Sequence, residues 1–402
     1  MTFANMGLRI GGRQLRPRAR GGRLPLLSAV TAFVAIGGAQ ALAQQPPTPP
    51  NPPPVLLSGD VGNASLSATG AVSELSTKFL RDLANWAYVQ RSGRVNVRIG
   101  GQAFADAPES ANALAYAAAA PVRKAAEPAD EVSSRYRVLL EGYGLHSRTD
   151  AQGTFPGDRR NTYGGLAGFG ATVMQGVNVG ALVDRGHTRI DIPGGQTGRI
   201  DLTQIGVNSA FEFGPWTLAL GTSHGFADLA SNRPDGPAIA TTSYGARLWG
   251  AIAELSYSQT TGSWRVTPKA GVDWTRLALD GFAETGGVLP ITGSPQTAER
   301  TRVFGTLDVG YTGTAGDTLY ELTGYGRAIE IVSQQVSSFV ASAPGAVSLL
   351  IPGIKDAPFE FDAGTSLSFR PSQSARLYVM YDARLRRDFR SHAGTVGLEL
   401  RW

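Results

Sequence analysis

Cysteine is absent from all 402 residues, so neither a disulfide framework nor a thiolate metal site can hold this chain together. Charge is sparse too, at 17% of residues, while glycine numbers 51, a bias toward strands and turns rather than packed helices. The apolar run at residues 24–38 is about fifteen residues long, short of the roughly twenty that a membrane-spanning helix needs. A basic excess is also missing once that segment is set aside. Residues 1–43 hold six of the 37 basic residues and no acidic one, which leaves 31 against 32. The sequence pI of about 9.5 thus belongs to the first 43 residues, and no nucleic-acid footprint remains.

What is present begins with the marks of an export signal. Arg9, Arg13, Arg16, Arg18, Arg20 and Arg23 form a basic segment, the apolar run follows, and Ala41-Leu42-Ala43 is a small-x-small site predicting cleavage between Ala43 and Gln44. Residues 44–54 carry seven prolines and are expected to form an extended linker. In residues 55–134, Leu75, Phe79, Leu83 and Trp86 stand at helical spacing, which predicts one amphipathic helix over residues 73–87. An alanine-rich stretch at 108–120 predicts a second, ended by Pro121.

From Arg135 to Trp402 the period changes to two, in twelve stretches. Phe359, Phe361, Ala363, Thr365, Leu367 and Phe369 alternate with Glu360, Asp362, Gly364, Ser366, Ser368 and Arg370. Val303, Leu307, Val309 and Tyr311 stand on one face of another stretch; Leu377, Val379 and Tyr381 do so in a third. Val396, Leu398, Leu400 and Trp402 do the same in the last, where the chain ends on an aromatic. Connections run long and short in turn: 147–160 then 175–176, 191–198 then 214–215, 228–240 then 260–263, 281–299 then 313–317, 333–357 then 371–374, with 387–391 intermediate. Short turns at one end, long loops at the other and an even strand count predict an all-β membrane fold, a 12-stranded antiparallel transmembrane β-barrel. Closure is required because an open edge in lipid leaves backbone groups unpaired at several kcal/mol each. Tyr136, Trp216, Trp264, Trp274, Tyr311 and Tyr381 fit interfacial aromatic girdles.

These residues resemble the translocator domain of autotransporters, the type V secretion proteins. The likeness rests on residues 137–144 followed by the Gly-rich 162–170, on Gly180-Ala181-Leu182-Val183-Asp184, and on the terminal Gly397-Leu398-Glu399-Leu400-Arg401-Trp402. The resemblance implies an outer-membrane protein of a Gram-negative bacterium that exports or anchors a short N-terminal segment through its pore. As partners it implies outer-membrane lipid, periplasmic chaperones and a barrel-assembly machinery that reads the last strand, with Val396, Leu398, Leu400 and Trp402 as the signal. A monomeric barrel with no cofactor is expected. Residues 44 to about 130 are shorter than a usual passenger and lack a β-helix repeat array.

The alternate polar positions predict the lumen: Arg137, Glu141, Asp184, Arg265, Lys269, Asp273, Asp308, Glu321, Arg327, Glu360, Asp362, Arg370, Asp382, Arg384 and Glu399. Two readings stand beside each other, a hydrophilic pore and a plugged barrel whose charges pair across it. On a hydrophilic lumen, arginine is expected to be costly at lipid-facing Leu307 and tolerated at Thr306. Two other functions are compatible with a barrel, a passive diffusion channel and a hydrolase. For the latter, Asp184 with His187, or Ser391 with His392, are the candidate partial dyads.

Overall fold

A computed structural model describes residues 61–88, 135–316 and 318–402. The expected signal segment with Ala41, Ala43 and Gln44, the proline-rich linker and the helix at 108–120 lie outside the described residues. Helix α1 spans Asn63–Tyr88, 26 residues. It starts ten residues before the periodicity predicted, because Asn63 to Val72 is rich in Ser, Ala and Thr and gives little helical signal alone. Enclosure supplies what propensity does not: Leu66, Ala68, Ala71 and Val72 are all buried.

Twelve long strands follow: β1 Tyr136–Thr149, β2 Asp158–Met174, β3 Val177–Ile192, β4 Gln196–Phe213, β5 Trp216–Asp235, β6 Ala238–Tyr257, β7 Trp264–Leu279, β8 Gln296–Ala315, β9 Thr318–Val336, β10 Phe359–Ser372, β11 Ala375–Arg386 and β12 Phe389–Arg401. Each pairs antiparallel with the next in sequence, and β12 pairs with β1 from Arg137↔Arg401 to Thr149↔Phe389, so the barrel closes. Trp402 completes the seam. Trp402 N donates to Tyr136 O at 3.0 Å, and Tyr136 N donates to Trp402 O at 2.9 Å.

The alternation read from sequence sets the two faces. Leu307, Leu377, Val379 and Val396 are exposed on the exterior, while Thr306, Glu360, Asp362 and Ser368 are buried inside. Aromatic contacts ring the short-turn end, among them Trp216 against Tyr257 and Trp264 against Tyr311.

Three expectations change. The connections at 191–198 and 228–240 are not long loops. They shrink to the tight turns 193–195 and 236–237, with positive φ at Gly194, Gly195 and Gly236, because the flanking strands run on to as many as 20 residues. Crossing a bilayer takes about 9 to 11 residues, so these hairpins stand well above it. Their polar, turn-rich composition reads as loop, but alternate residues point inward, and many of these are apolar, including Ile190, Ile192, Ile200 and Leu229, with Gln196 and Arg233 buried among them. Two connections are truly long, 280–295 and 337–358, and they contribute four short pieces, Phe282–Ala283, Thr292–Gly293, Phe339–Ser342 and Leu349–Ile351, to one small sheet.

The third change concerns the lumen, which is not uniformly hydrophilic. In the taller half of the barrel, Leu202, Leu248, Leu277 and Leu279 join those isoleucines in an apolar layer against Ala68, Ala71, Val72 and Leu75 of α1. Thr306 is accordingly no tolerant site. It is buried and accepts a hydrogen bond from Arg327 Nε at 2.8 Å, so a second guanidinium there meets the first. Leu307→Arg is expected to cost about 2 to 4 kcal/mol near the bilayer midplane. Leu307→Phe is expected to cost less than 1 kcal/mol. Urea unfolding of the protein in lipid vesicles checks both.

Candidate functional site

The lumen and the helix within it form one unit, built from two unlike faces of α1. Leu75, Phe79, Leu80, Leu83 and Trp86 lie on one side and are almost fully buried against the wall. Fully burying a side chain of this size stabilises by about 1.5 to 3 kcal/mol. The wall makes room by omitting side chains. A Cβ at Gly180 would stand 2.5 Å from the Trp86 ring, and one at Gly170 or Gly168 3.1 or 3.2 Å from it. The Gly-rich β2 segment is therefore the seat of Trp86.

The other face of α1 is charged, and every charge on it meets a partner. Glu74 accepts from Ser147 Oγ at 3.0 Å and lies 3.7 Å from Arg160. Gly70 of the helix admits that arginine, whose Nη2 would be 2.7 Å from a Cβ there. Lys78 bridges to Asp82 at 2.7 Å and lies 4.0 Å from the Tyr143 ring centroid. Arg81 reaches across the lumen to Asp382 at 3.3 Å, Asp362 at 3.6 Å and the Tyr325 hydroxyl at 3.1 Å. At the C-terminal end of α1, Asn208 Nδ2 donates to Leu83 O and Arg137 donates to Trp86 O, each at 2.6 Å. Arg137 also stacks on the Trp86 ring at 4.2 Å, so a cation caps the negative end of the helix dipole.

The inward charges of the wall pair with one another in an ordered network. Asp184 accepts from Tyr143 and from Gln204, both at 3.2 Å, and Glu141 accepts from Tyr378. Arg302 joins Asp273 and Glu360 at 2.9 and 3.1 Å. Arg327 meets Glu254 at 2.9 Å, Lys269 meets Asp308 at 2.7 Å, and Arg384 meets Asp362 at 3.2 Å. Arg265 and Arg370 share Glu321 at 2.5 and 3.7 Å, and Arg401 and Arg376 share Glu399 at 2.9 and 3.6 Å. Removing one member of a buried pair costs about 3 to 5 kcal/mol, because its partner is left charged and dry. Sequence reasoning missed the helix charges Glu74, Lys78, Arg81 and Asp82, as well as Arg160, Arg300 and Arg302. The i, i+4 spacing of Lys78 and Asp82 was the available signal for the former. Arg160 closes the stretch 147–160, whose composition reads as a loop.

Above the helix start, the two long connections close over the mouth. Val61, Leu66, Phe155, Ile291, Phe339 and Ile351 form a separate apolar cluster there. The void beside the helix at this level is about 50 Å³, room for little more than ordered water. Asp356 ties the cap to the barrel rim, 2.6 Å from Arg300 and 2.7 Å from Arg386. Burial alone would raise its carboxyl pKa, but Arg386 and Arg300 outweigh burial and hold it below the ordinary carboxylate range.

The hydrolase dyads do not form. Asp184 faces the lumen, whereas His187 is three residues further on the opposite face, 2.8 Å from Asp201 and packed on Tyr163. Ser391 is buried inside and His392 is exposed outside, 2.7 Å from the Tyr381 hydroxyl. Adjacent strand residues point to opposite faces, so sequence neighbours are separated by the wall.

A closed antiparallel barrel with an apolar exterior, a charged, helix-filled interior and two long loops at one end is a transmembrane β-barrel of the bacterial outer membrane. Residues 138–382 match the autotransporter β-domain model, and the chain belongs to that family. It is an outer-membrane translocator barrel of a Gram-negative bacterium. Among solved structures it is similar to the translocator domain of the autotransporter NalP from Neisseria meningitidis, with TM-score 0.62 and 13% identity over 85% of this chain and 100% of that one. It is also similar to the β-domain of the Bordetella autotransporter BrkA, with TM-score 0.52 and 13% identity over 67% of this chain and 100% of that one. No curated protein matches the sequence.

Trp86→Ala is expected to cost about 3 to 5 kcal/mol and Gly180→Val to unseat the same ring. Both variants should conduct ions in planar bilayers where the parent protein stays closed. The cap, for its part, is expected to keep its protease resistance down to about pH 4, since a depressed carboxyl pKa contributes above the unfolded value of roughly 3.9 and is lost only as pH falls through the folded one. Asp356→Asn is expected to make residues 337–358 cleavable at neutral pH, which limited proteolysis on whole cells reads directly.

Proposed function

We propose that α1 is the segment left in the pore after export, and that the chain N-terminal to Asn63 is carried to or through the outer face of the membrane. The observation behind this reading is the direction of α1. Its first turn packs under the long-loop cap with Phe339 and Ile351, and its last turn meets Arg137 at the start of β1, at the short-turn end. Long loops mark the cell surface and short turns the periplasm, so the chain runs inward through the pore before the first strand begins. Residues 1–43 are then the export signal, cut between Ala43 and Gln44. Residues 44–54 are the linker, 55–134 the short N-terminal segment that α1 anchors in the pore, and 135–402 the barrel. A diffusion channel is disfavoured by a lumen in which the helix and paired charges occupy the cross-section. We infer no catalytic role, since the paired charges serve to hold the plug.

An epitope inserted ahead of Asn63 is expected to be labelled by antibody on intact cells. Labelling only after the outer membrane is permeabilised would place that segment in the periplasm and contradict the proposal.

The last strand is proposed as the signal for the barrel-assembly machinery, with periplasmic chaperones holding the chain beforehand. Val396, Leu398, Leu400 and Trp402 form an outward apolar edge that is unpaired until β1 arrives. Deletion of Trp402 is expected to leave unfolded chain in the periplasm, because the two backbone bonds to Tyr136 are lost along with the signal. Trp274→Ala is expected to insert normally, since Trp274 bonds to Glu299 on the neighbouring strand, away from the closing seam. Heat-modifiable migration on gels separates the two, and normal insertion of the deletion would refute the assembly role.

A further inference from the structure

The exterior of the barrel carries one arrangement that lipid packing and the pore do not account for. Arg148 on β1 is the direct cross-strand partner of Arg390 on β12 and of Arg159 on β2. All three are exposed and point outward, since Ser147, Phe389 and Arg160 beside them are buried inside. Next to this row, Arg189 on β3 pairs in register with Arg199 on β4, also outward. Like charges placed directly opposite one another in a sheet destabilise it. The carboxylates nearby compensate only in part. Asp150 lies 3.3 Å from Arg148 and Asp201 lies 2.8 Å from Arg199, and Asp191 stands opposite Arg159 in register. Arg159, Arg189 and Arg390 make no ion pair among the described residues.

The height of the row fixes its surroundings. Tyr136, at the periplasmic girdle, is twelve residues before Arg148 on the same strand. At about 3.4 Å per residue and a tilt of roughly 40°, that is about 31 Å along the membrane normal. The apolar band of such a barrel is about 25 Å tall, so the arginines stand just above it, in the headgroup layer of the outer leaflet. Below them on the same strands the surface is hollow. Gly142, Gly144, Gly165 and Gly394 face outward with no side chain, and a depression of about 520 Å³ opens over Gly142 and Gly165, bordered by Leu140, Val396, Leu398 and the outward Arg185.

We propose that this face binds a phosphorylated, multiply acylated lipid of the outer leaflet, with its phosphates on the row Arg390, Arg148, Arg159 and its acyl chains in the glycine-floored depression. Guanidinium groups match phosphate oxygens in bidentate geometry, and a dianionic headgroup neutralises a row whose own repulsion opposes sheet pairing. Bound lipid then stabilises β12, β1 and β2, the strands on either side of the closing seam. The proposal rests on the membrane placement of the barrel and not on export of the N-terminal segment, so either can fail without the other.

The test uses the full chain in neutral detergent, titrated with diphosphoryl lipid A, with the same lipid stripped of both phosphates, and with inorganic phosphate. Saturable binding of the diphosphoryl form is expected, weakened at least tenfold by removal of the phosphates and not displaced by millimolar inorganic phosphate. The triple variant R148Q/R159Q/R390Q is expected to bind at least tenfold more weakly, while Arg276→Gln, on the exterior of β7, binds as the parent does. Equal binding of the phosphate-free lipid would overturn the proposal, as would displacement by inorganic phosphate, which would mark a free-anion site. The comparison of the two lipids on the parent protein needs no variant to fold. A further sign is read from stability: in lipid-free detergent Arg148→Gln is expected to raise the unfolding temperature, and in diphosphoryl lipid A to lower it. A fall in both media would contradict the account.

Discussion

A sheet closed from twelve strands encloses more space than its own inward side chains can fill, whereas eight strands leave a lumen just wide enough to be packed. How this surplus is occupied governs the rest of the molecule. The occupant is α1, whose 26 residues at about 1.5 Å each reach about 39 Å, enough to run the height of the membrane. From Asn63 to Trp86 no residue of the helix is exposed, and each side of it is matched to a different wall. Its apolar side meets Ile200, Leu202, Leu248 and Leu277, and its charged side meets Arg160, Asp362, Asp382 and Arg300. Apolar burial supplies the attraction. The charges, each expensive to leave unpaired in this interior, fix the helix at one rotation and one depth.

Much of the architecture was legible in the residues, because lipid on one side and a polar interior on the other impose period two on each strand. Phe359 to Arg370 and Val396 to Trp402 carry that alternation openly, and their facing is what the sequence predicts. The upper parts of β3 to β7 carry it largely in the reverse sense. There Ile190, Ile200 and Leu229 point inward while Arg189, Arg199 and Asp228 point out, since above the bilayer water is outside and the apolar helix is inside. A period-two pattern cannot say which face is the apolar one. These segments, rich in Asp, Gly and Pro, resembled loops for that reason.

The site was legible by halves for a related cause. Wall charges such as Arg327 and Glu360 follow from strand parity alone. Their partners do not, because Arg302 with Asp273, or Arg81 with Asp382, are joined across distances in sequence that only closure fixes. The glycines show the same gap. Gly168, Gly170 and Gly180 stand out as a family pattern, but their physical reason is the ring of Trp86, more than eighty residues upstream. On the exterior the arginines of β12, β1 and β2 serve a different economy from those inside: the inner ones are satisfied by protein carboxylates, whereas Arg159 and Arg390 face the headgroup layer.

The account stands or falls on α1 being seated in the lumen of the mature protein in its membrane. The absence of native cysteine makes this directly measurable, since Leu83 Cβ lies 3.4 Å from the position of a Cβ at Gly221 on the facing wall, close to the spacing of about 3.5 to 4.5 Å that a disulfide requires. With Leu83→Cys and Gly221→Cys introduced together, a cross-link is expected to form in isolated outer membranes under mild oxidation, seen as a reducible shift in the migration of the denatured chain. Leu83→Cys with Val396→Cys, on the outer surface, is expected to give none. Free thiols in the first pair, in a barrel that is folded by its heat-modifiable migration, would show that the helix does not occupy the pore.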